Sequence, residues 1–248
     1  MIRGLYTAAS GMITETTRTD VISNNLANVT TTGYKKDETV SSEFERVLIR
    51  RINDGQVAPQ IGELGRGSKI DEIYTQHEQG STQQTGNTFD LAIEGKGYFV
   101  IATPQGTRYT RNGSFNLAEN GQLVTNEGFP VLAGGRPVQI NGNGNVTIGA
   151  DGQIALDNEQ IATLDFVEFD GDRVLKKEGN SMYVAPQGER SRQATGKISQ
   201  GQLELSNVNV VSEMVKLINA YRAYETNAKA LQSEDSMLEK AVNEVGRG

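Results

Sequence analysis

Apolar positions recur every seven residues over the last forty residues of the chain. One row reads Val210, Leu217, Tyr224, Leu231, Leu238, Val245. A second, four residues on, reads Met214, Tyr221, Ala228, Asp235, Val242, and only Asp235 breaks it. A seven-residue apolar repeat held over about five heptads predicts one long helix that wants a partner helix. No Gly or Pro interrupts the stretch between Gly201 and Gly246, and Gly246 stands where such a helix should stop. At about 1.5 Å per residue it would run roughly 50–60 Å, more than a small local core can cover.

Residues 3–29 predict a second helix on the same rule. Leu5, Met12, Thr19 and Leu26 form one row, and Ala8, Ile22 and Val29 the other, with Glu15 as its exception. Threonines at 14, 16, 17 and 19 lower its intrinsic propensity modestly, so alone it would be marginal. Ser23 to Lys35 closes it: the Asn and Thr residues favour a helix end, and Gly33 can take the positive φ of an exit turn. Asn25 lies on the rim of the apolar face, about 60° from Ile22 at ~100° per residue.

Between the helices the period changes. Residues 36–75 read as an extended linker arm: Phe44, Val47, Leu48 and Ile52 are followed by Asp54-Gly55, Pro59, Gly62, Gly65 and Gly67. Residues 88–200 read as β throughout. Asn112-Gly113, Asn120-Gly121, Glu127-Gly128, Gly134-Gly135, Asn141-Gly142, Asp151-Gly152 and Asp170-Gly171 supply turn signals at short spacing. Strands are expected at 91–93, 98–101, 122–125, 138–140, 145–148, 153–156, 162–169 and 173–175, with a last one within 193–205. The fold class is therefore α+β. Residues 1–35 and 206–248 form a terminal helical polymerisation module, coiled-coil-like, around a central elongated antiparallel β-domain at 76–205.

Composition narrows the function. The chain has 248 residues, 28 Gly, no Trp, and a net charge of −7. An acidic chain with no basic tract argues against nucleic-acid binding. No Cys is present, so disulfides, thiolate metal sites and cysteine nucleophiles are excluded. No apolar run reaches the ~18 residues of a membrane span, and the start has no h-region of a secretory leader.

Candidate chemistry fails case by case. Gly65-Arg66-Gly67-Ser68-Lys69 lacks the glycine spacing and the following helix of a phosphate loop. Asn141, Asn143 and Asn145 alternate like calcium ligands, but Val146 and Gly152 occupy the positions that need Gly and Glu. His77, the single histidine, sits in a polar run and reads as solvated. Asp165, Glu168, Asp170 and Asp172 surround an expected turn and read as solvated acids. No catalytic residue, cofactor or metal is expected.

Three motifs carry a family resemblance. Asn24-Asn25-Leu26-Ala27-Asn28 with Thr32-Gly33-Tyr34-Lys35 resembles the N-terminal signature of bacterial flagellar axial proteins: rod, hook and hook-associated proteins. Ser206 to Val215 and Tyr221-Arg222-Ala223-Tyr224-Glu225 resemble the C-terminal signature. Phe89 to Phe99, followed by Arg108 to Gly113, resembles the central β-domain. The resemblance implies a structural, non-catalytic rod subunit in the basal body. Its partners would be copies of itself, other rod and hook axial proteins, and the flagellar type III export apparatus, which needs no cleaved leader. At this length the longer hook proteins of the family are excluded. Residues 36–75 lack the Phe-Gln-Asp-Leu-Leu-Tyr run of distal rod proteins, which favours the proximal rod.

The expected assembly interface is Leu5, Met12, Ile22, Asn25, Leu26, Val29, Val210, Met214, Leu217, Tyr221, Tyr224, Leu231, Leu238 and Val242, with both chain ends ordering only on assembly. The alternatives are a distal rod or other hook-basal-body protein, a cytoplasmic adaptor pairing as a closed dimer, and a secreted β-domain enzyme or carbohydrate binder. The last would keep its activity after both ends were deleted.

Overall fold

The computed structural model describes residues 2–44, 46–50, 60–142, 144–171, 174–186 and 188–245. They divide into two compact units, one of residues 1–26, 37–74 and 210–248, the other of 27–36 and 75–209.

The first unit holds two long helices, α1 (Ile2–Ala27) and α2 (Val210–Val245), and four strands, β1 (Asp37–Glu43), β2 (Val47–Arg50), β3 (Gln60–Leu64) and β4 (Ser68–Thr75). The threonines of α1 are accommodated by back-bonding. The hydroxyls of Thr7, Thr14, Thr16, Thr17 and Thr19 each donate to the carbonyl four residues earlier, at 2.8–3.1 Å. The two helices run antiparallel. A Cβ on Gly4 would strike the Glu234 carboxylate, one on Gly11 would lie 2.7 Å from Asn227 Nδ2, and Asn25 donates to Glu213. These pairs step by seven and then fourteen residues along both helices.

β1 pairs with β4, and β2 with β3 in antiparallel register from Val47↔Leu64 to Arg50↔Gln60. Residues 37–74 thus contribute strands to the same unit as the helices; Asp54-Gly55 and Pro59 lie outside the described residues. The glycine run before β4 packs on α1, where Ser68 N–H donates to Ser10 Oγ at 3.3 Å and the Ser68 and Thr14 hydroxyls meet at 3.2 Å.

The second unit is β-rich. Its largest sheet has six antiparallel strands in the order 176–177, 182–184, 106–110, 98–103, 166–168, 192–193. A three-stranded meander of 146–148, 153–156 and 159–163 lies in the same unit. Alternation along 98–103 separates two cores: Phe99 and Ile101 join Leu91, Ile93, Phe115, Leu123 and Ile154, while Tyr98 packs with Phe169, Leu175 and Tyr183.

Some expectations need correction. The strand expected over 162–169 is two, because its middle turns between sheets. Asp165 accepts from Gly134 N at 2.8 Å and Gly135 N at 2.7 Å, while Leu164 N donates to Gly152 O. Val138 and Ile140 are buried and hydrogen-bonded, yet the strand there is Arg136–Pro137. Leu175 is buried outside any strand, and Arg173 lies outside the described residues. The final strand is broken into 192–193, 197–200 and 202–204. Asn112-Gly113 is no hairpin turn: a Cβ on Gly113 would collide with the Leu91 carbonyl, where the two backbones meet.

Gly33 does take the positive φ expected of it, at 65°. A Cβ there would also lie 2.5–2.7 Å from the Arg111 carbonyl group. Gly33→Ala is therefore expected to destabilise the second unit by at least about 1–2 kcal/mol, the left-handed penalty alone. Urea unfolding followed by tyrosine fluorescence checks this.

Candidate functional site

On α2 the residues covered within the chain are Glu213 and Ala220, with Leu217, Asn227, Leu231, Glu234, Leu238 and Ala241 half-buried. The row that meets α1 is thus 213, 220, 227, 234, the more polar one. It can do so because its partners on α1 include Gly4 and Gly11, which let side chains as large as Glu234 and Asn227 lie across the helix. The apolar row one residue further round points outward. Val211 is 72% exposed and Tyr221 65%, and Met214, Val215 and Ile218 are each more than half exposed. At ~100° per residue these five fall within an arc of about 120°, on one helical face. On α1, Tyr6 and Ile13 are exposed seven residues apart.

The fourteen expected interface residues therefore fall into three groups. Val210, Met214, Tyr221, Tyr224 and Val242 are exposed. Leu5, Met12, Leu26, Val29, Leu217, Leu231 and Leu238 are half-buried. Ile22 and Asn25 are buried within the chain. Asn25 accepts the Asp37 N–H at 2.9 Å and donates to the Asp37 carbonyl at 2.8 Å, pairing as a strand would. Its neighbour Glu213 accepts from Lys216 at 2.8 Å, and Lys216 also reaches Glu38 at 3.3 Å.

The second unit carries a buried ionic cluster that sequence reasoning missed. Lys35 Nζ lies 2.5 Å from Glu204 Oε1, both side chains fully buried, and Arg111 Nη1 lies 3.3 Å from Glu204 Oε2. Every charge finds further partners. Lys35 donates to Glu78 O at 2.7 Å, Gly80 N to Glu204 Oε1 at 2.9 Å, and Arg111 to Gly95 O at 2.7 Å. The Arg111 guanidinium also sits 5.2 Å over the Tyr98 ring. Such partners offset the cost of burying the charges, although the Arg111 Nε is buried without a hydrogen bond. Lys35 belongs to the Thr32–Lys35 motif, so the motif's cation is a structural tie. The available signal was a lone charge between apolar neighbours, as in Leu203-Glu204-Leu205.

Two residues expected to be solvated are not. His77 Nδ1 lies 2.8 Å from the Tyr98 hydroxyl, and its ring packs against Tyr183 at 5.2 Å. Glu168 is buried: it accepts from Thr195 N–H at 3.1 Å, Thr195 hydroxyl at 2.8 Å and Arg192 at 2.6 Å. Asp172 lies outside the described residues.

The Thr195 hydrogen bonds, with Arg192 adding to them, hold the Glu168 carboxyl below the usual range. A carboxylate depressed in the folded state contributes stability that is full above the unfolded pKa and lost as pH falls through the folded one. Glu168→Gln should cost about 1–3 kcal/mol at pH 7, and the gap should close below the depressed pKa. Melting curves of both proteins from pH 7 to pH 3 check this.

Among the described residues, no His, Asp or Glu cluster could hold a metal ion, and no helix is long and apolar enough to cross a membrane. The apolar face of α2 is exposed, whereas the charges that stitch the strand-rich unit are buried.

Family models match at three places. A flagella basal body rod protein model matches residues 5–35, a flagellar hook protein FlgE/F/G D1 domain model matches 92–156, and a flagellar basal body rod FlgEFG protein C-terminal model matches 199–244. Full-length relatives agree. The chain is 36% identical over 267 residues to the flagellar basal-body rod protein FlgG of Bacillus subtilis (strain 168), covering 98% of this chain and 99% of that one. It is 32% identical over 271 residues to the flagellar hook-basal body complex protein FlhO of the same organism, covering all of both chains. It is 35% identical over 247 residues to the flagellar basal-body rod protein FlgF of Mesorhizobium japonicum, covering 98% and 97%.

Proposed function

The chain belongs to the flagellar basal-body rod protein family, and from that premise we propose that it is a structural subunit of the rod that polymerises through its two terminal helices. The family is structural, and the subunit carries load rather than catalysing a reaction. The observation that carries the assembly reading is the apolar face of α2 at Val211, Met214, Val215, Ile218 and Tyr221, left open while the opposite side of the same helix is covered by α1. Exposed apolar area of this kind is stabilised by burial against another surface. A face repeated along every copy, meeting a different patch on the next, builds an open helical array. In that array the helices of neighbouring copies pack side by side in coiled-coil fashion.

Within this reading, Val210, Met214, Tyr221, Tyr224 and Val242 contact neighbouring copies. The half-buried Leu5, Met12, Leu26, Val29, Leu217, Leu231 and Leu238 lie at the margin of that contact. Ile22 and Asn25 set up the helix pair from inside the chain. Other rod and hook axial proteins cap the array at its two ends, the basal body crossing the periplasm is its location, and the flagellar type III apparatus exports the chain without a cleaved leader.

Relatives named FlgG and FlgF match at similar identity, so the position along the shaft rests on residues 36–75. The absence there of a Phe-Gln-Asp-Leu-Leu-Tyr run favours the proximal rod. Imaging basal bodies from cells lacking this chain tests both statements. A proximal subunit predicts a shaft that breaks off within its proximal segment, with the whole distal segment missing as well. A shaft missing only its outer segment would assign the distal rod, and an intact shaft would end the rod reading.

A further inference from the structure

The chain passes between its two units at residues 26/27, 36/37, 74/75 and 209/210. Three of these passages end, on the second unit's side, within two residues of one side chain's hydrogen bonds. Asn207 Oδ1 accepts the Lys36 N–H at 2.8 Å. Its Nδ2 donates to Gln76 O at 2.8 Å and to Glu78 O at 3.2 Å. Asn207 itself lies two residues before the fourth passage. The backbone closes the same knot, since Gln76 N donates to Lys36 O at 2.9 Å and Asn207 N to Tyr34 O at 3.4 Å. An amide is the one side chain that can present an acceptor and two donors from a single planar group. Aspartate supplies no donor, and serine is too short to reach three backbone groups at once.

We propose that Asn207 is a positioning residue that pins the passages at Lys36, Gln76 and Asn207 to one another, so that every copy enters the shaft with these three chain segments held alike. Its side-chain hydrogen bonds go to backbone groups. The proposal rests on the rod reading for its consequence, but the pinning itself does not.

Amide exchange on the full-length protein tests it. In Asn207→Ala the Lys36 and Gln76 amides are expected to exchange about tenfold faster, the loss of one to two hydrogen bonds. The amides of the 98–103 strand should keep their rates. Asn207→Asp provides a second arm: it retains an acceptor for Lys36 but sets a carboxylate against the Gln76 and Glu78 carbonyls, and Gln76 should again be loosened. Unchanged rates at Lys36 and Gln76 in both variants would overturn the proposal. So would equal acceleration through the whole six-stranded sheet, which would make Asn207 a general fold residue. Cells carrying Asn207→Ala are expected to assemble flagella but swim more slowly in viscous medium. Normal swimming by cells lacking the chain altogether would remove the rod reading and leave the exchange result standing.

Discussion

Replacing Glu204 with Gln lowers the stability of the second unit by about 3–5 kcal/mol, the cost of leaving buried charge unpaired. The carboxylate faces two cations at 2.5 and 3.3 Å, Lys35 and Arg111, and all three side chains are buried. Glutamine keeps the shape and one acceptor, but its amide N–H₂ points donors at a donor. The loss should exceed that of Arg192→Met, which breaks ion pairs with Glu168 and Asp170 from a guanidinium that is 58% exposed. Urea unfolding of the three proteins checks both the size and the ranking. A Glu204→Gln midpoint equal to that of the parent would mean the cluster is not sealed.

The second large effect is on assembly rather than folding. Ile218→Asp places a charge in the centre of the open face of α2, on a side chain 52% exposed in the single copy. Exposed to water that change costs the monomer little, within about 0.5 kcal/mol. Buried against a neighbouring copy, an unpaired carboxylate costs several kcal/mol, enough to remove a contact built from a handful of apolar side chains. The expected result is a protein that melts like the parent but does not polymerise, in cells that do not swim. Leu231→Asp supplies the contrast. Leu231 is half-buried on the side of α2 that meets α1, so this change should loosen the helix pair itself as well as assembly.

The long helices were readable from period alone, since no Pro or Gly interrupts 202–245 and the heptads run on. What the pattern could not tell was which side of α2 faces α1. Hydrophobicity favours the row with Met214 and Tyr221 for the inner seam, but the glycines at 4 and 11 admit Asn227 and Glu234 instead. Helix contact follows the fit of two surfaces, and a sequence reading weighs only one of them at a time. The hairpin turns of the β-unit were likewise visible at Asn120-Gly121 and Asp151-Gly152, whose glycines have φ of 77° and 83°. The Lys35–Glu204–Arg111 cluster was not visible, because its members are separated by 169 and 93 residues along the chain. Glu168 and His77 were misread for a related reason: local polarity says nothing of a Thr195 or a Tyr183 brought over them by the fold.

The measurement that bears most directly on this account is light scattering by the purified full-length chain over rising concentration, with Ile218→Asp alongside. The parent is expected to gain mass without reaching a plateau, as an open array does, while the variant stays single and folded. A parent that remains a monomer at high concentration, or saturates as a closed dimer, would contradict the claim that sister copies complete the open face of α2.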